Sequence, residues 1–261
     1  MNQLRPRVIP CLQVSDGELL KTRRFKDPIY LGDPINAVKL FNDLDCDELI
    51  VADIRATVEN RTPDFAFIEE FASEAFMPLT YGGGITSIDQ IRTLLSIGVE
   101  KVVIGAAAAN ENLIKAAAEI FGAQSIVASV DVKKTLLGRR EVWIRSGTKN
   151  LHVDPQTYAK QMEDQGAGEL FVQSIDLESA QGGYDIPMMN EVSAAVRIPV
   201  IACGGAGTLQ DIDRLFQSSG VAAAAAGTMF VLHGKHRAPL ISYPRPLEIT
   251  ALSRSRKVNS A

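Results

Sequence analysis

The chain has 261 residues, 46% of them apolar and 22% charged, and a formal net charge of −4. That apolar fraction and small net charge exclude a disordered chain, and 20 Gly with 12 Pro in no triplet period exclude a collagen-like one. With 27 basic against 31 acidic residues, the basic surplus of a duplex-binding domain is missing, so no nucleic-acid partner is expected.

The longest apolar run, residues 221–232, is far short of the roughly 20 residues of a membrane span. No signal-peptide core opens the chain. Cys11, Cys46 and Cys203 form neither a disulfide framework nor, with His152, His233 and His236, a metal spacing. A reduced, cytoplasmic protein without metal or cofactor is expected.

In chain order, apolar runs predict strands over 8–14, 48–54, 78–81, 101–104, 126–132, 169–175, 199–203 and 222–226. Helical patterns fall between them, as at 35–44, 88–97, 112–121, 156–165 and 188–196. Asp33-Pro34 and Asp154-Pro155 read as a cap followed by proline at the first helical position. Glycines 98, 122 and 166 follow helix ends. The chain also repeats itself at an offset of 121 residues: Glu48, Pro78, Gly83 and Gly84 fall on Glu169, Pro199, Gly204 and Gly205. Eight strands alternating with helices in two matched halves predict a closed (β/α)8 TIM barrel of residues 1–244, with half-barrels 5–122 and 123–244. A doubly wound open sheet is the alternative. Residues 245–261 read as a polar, mildly basic tail.

Reacting groups of such a barrel lie at the C-terminal ends of its strands. Those ends carry Gln13, Asp53, Gly83-Gly84, Gly105, Asp131, Asp176 with Glu178, Gly204-Gly205 and Ala226-Gly227. The two glycine turns occupy duplicate positions and can turn backbone N–H groups toward anions. They predict a phosphorylated small molecule with an anion at each end, held more firmly at Gly205 and Gly227. Asp131 is the general acid–base candidate, since burial raises a carboxyl toward neutrality. Lys21, in the loop after strand 1, is placed to neutralise substrate charge. At the opposite face Arg7, Glu48, Lys101 and Glu169 stand at strand starts, where a closed ion-pair ring would plug the barrel.

The segments VIPCLQV–DGELLKT, DELIVADI, PLTYGGGI, VDVKK, GAGELFVQSID, GGYD and PVIACGGAG together resemble the cyclase subunit of imidazole glycerol phosphate synthase, over about residues 5 to 232. The resemblance implies a barrel that forms a heterodimer with a class I glutaminase docked on its N-terminal face. Ammonia then passes along the barrel axis to a twin-phosphate nucleotide. It assigns acid–base work to Asp131, substrate contacts to Lys21 and Asp53, and an ammonia gate to Arg7, Glu48, Lys101 and Glu169.

This sequence departs from the family where the chemistry is done. The strand 1 aspartate of the family is Gln13 here, and Gln exchanges no proton near pH 7. The family's Asn-Thr after strand 4 is Gly105-Ala106, its Asp-Gly after strand 6 is Glu178-Ser179, and its threonine is Gln173. An intact ammonia end with a remodelled chemical end points to a paralogue with a different acceptor, and the segments KTRRFKDPIYLGDPINAVKLFN and VLHGKHRAPLISYP resemble the variant associated with surface-polysaccharide (O-antigen) synthesis. There the ammonia serves a third protein, a sugar amidotransferase. The genuine histidine-pathway cyclase, a sugar-phosphate isomerase and a non-catalytic ammonia-channelling scaffold are the other readings.

Overall fold

A computed structural model describes residues 6–109, 112–234 and 236–254. Its core is a ring of parallel strands: β1 (Arg7–Ser15), β2 (Leu49–Asp53), β3 (Leu79–Gly82), β4 (Lys101–Ile104), β5 (Ile126–Lys134), β6 (Glu169–Ser174), β7 (Val200–Cys203) and β8 (Ala223–Ala226). Each pairs with the next, and β8 returns to β1 with Arg7 opposite Ala223 and Pro10 opposite Ala226. The sheet therefore closes into a (β/α)8 barrel, and the open doubly wound alternative falls. Side chains alternate across each strand. Ile9 and Cys11 of β1 point inward with Ile50, Val103, Val127 and Phe171, while Val8, Leu12 and Val14 face the helices.

The helices are α1 (Pro34–Asp43), α2 (Phe65–Ser73), α3 (Ile88–Ser96), α4 (Leu113–Phe121), α5 (Pro155–Asp164), α6 (Ile186–Ala195), α7 (Leu209–Ser218), the short α8 (Thr228–Val231) and α9 (Pro246–Arg254). Helix α1 buries Ala37, Val38 and Phe41 against the sheet. Full burial of one Val, Leu or Phe side chain contributes roughly 1.5–3 kcal/mol. No described helix is long and apolar enough to cross a membrane.

The 121-residue offset survives in the details. Asp33 and Asp154 cap α1 and α5, Asp64 and Asp185 cap α2 and α6, and Ser87 and Thr208 close capping boxes on α3 and α7. A Cβ on Gly83 would stand 2.5 Å from the Asp53 carbonyl, and one on Gly204 would stand 2.7 Å from the Ser174 carbonyl. Both turns need glycine because they press on the end of the preceding strand.

Each half carries an antiparallel excursion after its first strand. In the first half, residues Glu18–Arg23 and Lys26–Gly32 form a hairpin beside β1. In the second, Arg140–Ile144 and Lys149–Asn150 extend from β5. Arg140 clamps the second excursion to the start of α6, its Nε 3.0 Å and Nη2 2.7 Å from the two oxygens of Asp185. Asp185 is buried. Arg140→Ala is expected to cost about 1.5–3 kcal/mol, the range for hydrogen bonds to charged groups, read as a lower urea midpoint.

The expected polar tail needs correction. Residues 246–254 form α9, and its Ile249 and Leu252 are buried in the main core. Two apolar positions three apart are enough to seat a helix when a neighbour, here α7, offers a groove. Residues 255–261 lie outside the described residues.

Candidate functional site

At the N-terminal face the four strand-start charges meet. Arg7 donates through Nε to Glu48 Oε1 at 2.5 Å and through Nη1 to Glu169 Oε1 at 2.5 Å. Lys101 Nζ reaches Glu169 Oε2 at 2.8 Å. The hydrogen bond to Glu48, with the charges of both glutamates, raises the Arg7 pKa further. Burial works against ionisation of Glu169, yet Arg7 and Lys101 outweigh it and hold that carboxyl below its ordinary value. The order is Glu48–Arg7–Glu169–Lys101. Among the described residues no Lys101–Glu48 pair closes it, so the expected ring is an open chain of three ion pairs.

At the C-terminal face a cavity of about 810 Å³ opens. Gln13, Asp53, Gly83, Gly84, Gly105 and Asp131 all contribute to its lining. Asp131 ends the inward run of β5. Burial pushes its carboxyl up to about 6, against the lowering hydrogen bond from Ser129 Oγ at 2.9 Å. A group poised there exchanges protons near neutrality. Asp53 holds a turn: its Oδ1 accepts from the backbone N–H groups of Arg55 and Ala56, both at 2.9 Å. The Gly84 N–H is spent on Thr57 Oγ1 at 3.2 Å. Gly105 is open, since a Cβ there would touch only Ser129 at 3.9 Å.

Three basic residues of this cavity, Arg55, Arg61 and Arg145, escaped sequence reasoning. Arg61 lies beside Asp53, Asp16 and Glu59. Arg145 spans from the second excursion to the loop after β2, donating to Asn60 Oδ1 at 3.1 Å and to the Val58 carbonyl at 3.1 Å. It meets no carboxylate among the described residues. No motif marks it; only the excursion carries it over the mouth.

The other half of the mouth is narrower in this structure. Gly204, Gly205, Ala226 and Gly227 surround a space of only about 20 Å³, enough for a water. Lys21 does not face the large cavity. It forms a buried ion pair with Glu178, and its Cε would lie 3.2 Å from a Cβ on Gly227. Glu178 also receives Gln13 Nε2 at 3.2 Å, and the Thr22 hydroxyl lies 3.1 Å from the same oxygen. Gln13 Oε1 in turn accepts from the Thr22 N–H at 2.7 Å. The Ser179 hydroxyl bonds to the Thr22 carbonyl at 2.7 Å and sits 2.8 Å from the Thr228 hydroxyl.

The same carboxylate holds the tip of the first hairpin. Arg24 and Phe25 turn with φ of 55° and 62°, a conformation that favours glycine or asparagine and costs of order 1 kcal/mol or more at other residues. The Phe25 N–H donates to Glu178 Oε2 at 3.3 Å and Arg24 Nε to the Asp176 carbonyl at 3.1 Å.

Residues 7–237 match the family model described as histidine biosynthesis protein. The chain is 46% identical over 242 residues to a Pseudomonas aeruginosa protein provisionally named imidazole glycerol phosphate synthase subunit hisF2, covering 92% of this chain and 96% of that one. It is 43% identical over 251 residues to a provisionally named HisF subunit of Leptospira interrogans, covering 95% and 99%. With the imidazole glycerol phosphate synthase subunit HisF of Natranaerobius thermophilus it shares 39% over 228 residues, covering 87% and 90%. In sequence and in barrel architecture, the chain belongs to the histidine biosynthesis protein family.

Proposed function

We propose that this chain is the synthase-side subunit of a glutamine amidotransferase pair, taking ammonia from a class I glutaminase at its N-terminal face. The nitrogen serves amidination of an amino sugar in surface-polysaccharide synthesis, in the paralogous manner, rather than closure of the histidine-pathway imidazole. The carrying observation is the contrast between the two faces. Glu48, Arg7, Glu169 and Lys101 keep a connected ion chain at the bottom, while at the top Gln13 stands where acid–base work needs a carboxylate and is bonded to Thr22 and Glu178. The relatives support a paralogue: those named hisF2 and hisF3 share 46% and 44% with this chain, and the HisF subunits named without qualification share 36–39%.

The test is co-purification with a candidate glutaminase and stimulation of its glutamine hydrolysis. Absence of a complex at micromolar concentration overturns the reading. Lys101→Ala removes one of the two cations on Glu169. It is expected to lower glutamine-dependent turnover of the complex by about tenfold, the scale of an ordinary coupling between sites. Turnover supplied with ammonium salts should hold, because that route does not depend on the glutaminase.

A further inference from the structure

We infer that Phe76 anchors the glutaminase partner. It is the apolar centre of an acidic patch on the first half of the N-terminal face, and it fits a partner surface with an apolar pocket rimmed by Lys and Arg. The inference rests on the reading that a glutaminase docks on this face, and it names the chemistry that selects which one.

Phe76 lies in the loop between α2 and β3, on the face where the strands start. Met77 and Leu79 beside it are buried, yet Phe76 is 87% exposed. The backbone beneath it is fixed. Asn42 of α1 accepts the Phe76 N–H through Oδ1 at 3.0 Å and donates through Nδ2 to the Glu74 carbonyl. A ring presented on a fixed backbone loses little freedom on docking. The duplicated half supplies the control. At the 121-residue offset Asn42 falls on Glu163 and Phe76 on Arg197. Glu163 Oε1 accepts the Arg197 N–H at 2.8 Å, and the Arg197 side chain is 94% exposed. The same clamp holds a guanidinium side chain as readily as a phenyl ring, so the barrel itself does not call for an aromatic at position 76.

The charge around the two positions differs as well. The first-half loops that enter β2, β3 and β4 are residues 44–48, 74–78 and 97–100. Besides Glu48 of the ion chain they carry Asp45, Asp47, Glu74 and Glu100, and no Lys or Arg. Lys39 of α1 reaches Glu74 at 3.2 Å. The matching second-half loops, 165–168, 196–199 and 219–222, have no carboxylate, and Arg197 is their one charge. An apolar anchor among carboxylates is complementary to an apolar pocket with a basic rim. A buried aromatic at the centre of such a contact carries a large share of the binding. A second copy of this chain fits poorly, because two-fold symmetry would set the acidic patch against itself.

The experiment uses the full chain and a candidate class I glutaminase, with binding followed by titration calorimetry. Phe76→Ala is expected to weaken binding by at least about 30-fold, the scale of an interface hot spot. Phe76→Leu keeps an apolar side chain and should lose only about threefold. Both variants should keep the wild-type urea midpoint, because the side chain is exposed. Affinity of the wild-type chain should fall as salt rises from about 0.05 to about 0.5 M, since exposed carboxylates are screened. A loss smaller than about tenfold for Phe76→Ala overturns the anchor and leaves the glutaminase reading standing. Absence of any complex with the wild-type chain overturns both. An affinity that does not change with salt overturns the basic rim. Sedimentation of the chain alone tests the other occupant: a dimer that Phe76→Ala dissociates assigns the ring to a second copy and defeats the proposal.

Discussion

Asp131→Asn is expected to stabilise the folded chain at pH 8 while removing any ammonia-dependent turnover that passes through this group. Burial holds the carboxyl at about 6, against an ordinary value near 4. A folded pKa above the unfolded one means that the fold disfavours the charged form. The cost is absent below about pH 4, grows between about 4 and 6, and is fully present above. Two pKa units correspond to about 3 kcal/mol. The Asn side chain has the same shape and no charge, so urea unfolding should show a gain of that size at pH 8 and almost none at pH 4. Loss of a positioned acid–base group lowers turnover by about 10²–10⁴. Equal stability of the two chains at pH 8 would show that the surroundings do not penalise the charged carboxylate.

The second large effect concerns Gln13. Turnover of the histidine-pathway nucleotide with ammonium salts is expected at least about 10²-fold below that of a two-aspartate synthase. Gln13→Asp alone should not recover it. The new carboxylate would face Glu178, which now receives Gln13 Nε2. It would also be too short to keep both Thr22 contacts that Gln13 Oε1 makes at 2.7 and 3.0 Å. Two carboxylates sharing one site cannot both ionise freely, and one is driven to bind a proton. The single variant should therefore also lose stability, by about 1–3 kcal/mol for the buried groups left unpaired. Pairing Gln13→Asp with Glu178→Gly removes the conflict and should recover more activity than either change alone. Full activity of the unaltered chain would make it an ordinary synthase subunit and end the paralogue reading.

The barrel was legible because its signals are local or repeat at a fixed offset. Each strand was a short apolar run, and the capping Asp33 and Asp154 stood before prolines 121 residues apart. The charges at the N-terminal face could be read because a strand start fixes both a height in the barrel and a direction inward. The rest depends on loops meeting across the mouth. Glu178 was visible as an unusual residue after β6, yet its partner Gln13 lies 165 positions away in sequence. Nothing local tells a carboxylate in a loop that it will meet Lys21 and the tip of a hairpin. The preference for the Gly205 side followed from the loss of side-chain donors at Gly105-Ala106, whereas the space beside Gly205 is decided by where residues 177–183 lie. Arg145 was missed for a related reason: its role comes from the reach of the second excursion. Helix α9 was missed because two apolar residues in a polar stretch are a weak signal until α7 is there to receive them.

An unequal mouth also separates the times at which its two halves can be filled. The larger cavity reaches the surface at the exposed Glu59, Asn60 and Thr86, so a ligand can arrive there with the surrounding loops as they stand. Its association should be limited by diffusion and orientation. The space beneath Glu178 opens only if the hairpin tip at Arg24 and Phe25 and the loop after β6 let go together, since one carboxylate ties both. Loop release of that kind belongs to the microsecond-to-millisecond range. A ligand that engages both halves would therefore bind in two kinetic phases, a fast concentration-dependent one followed by a slower one that saturates.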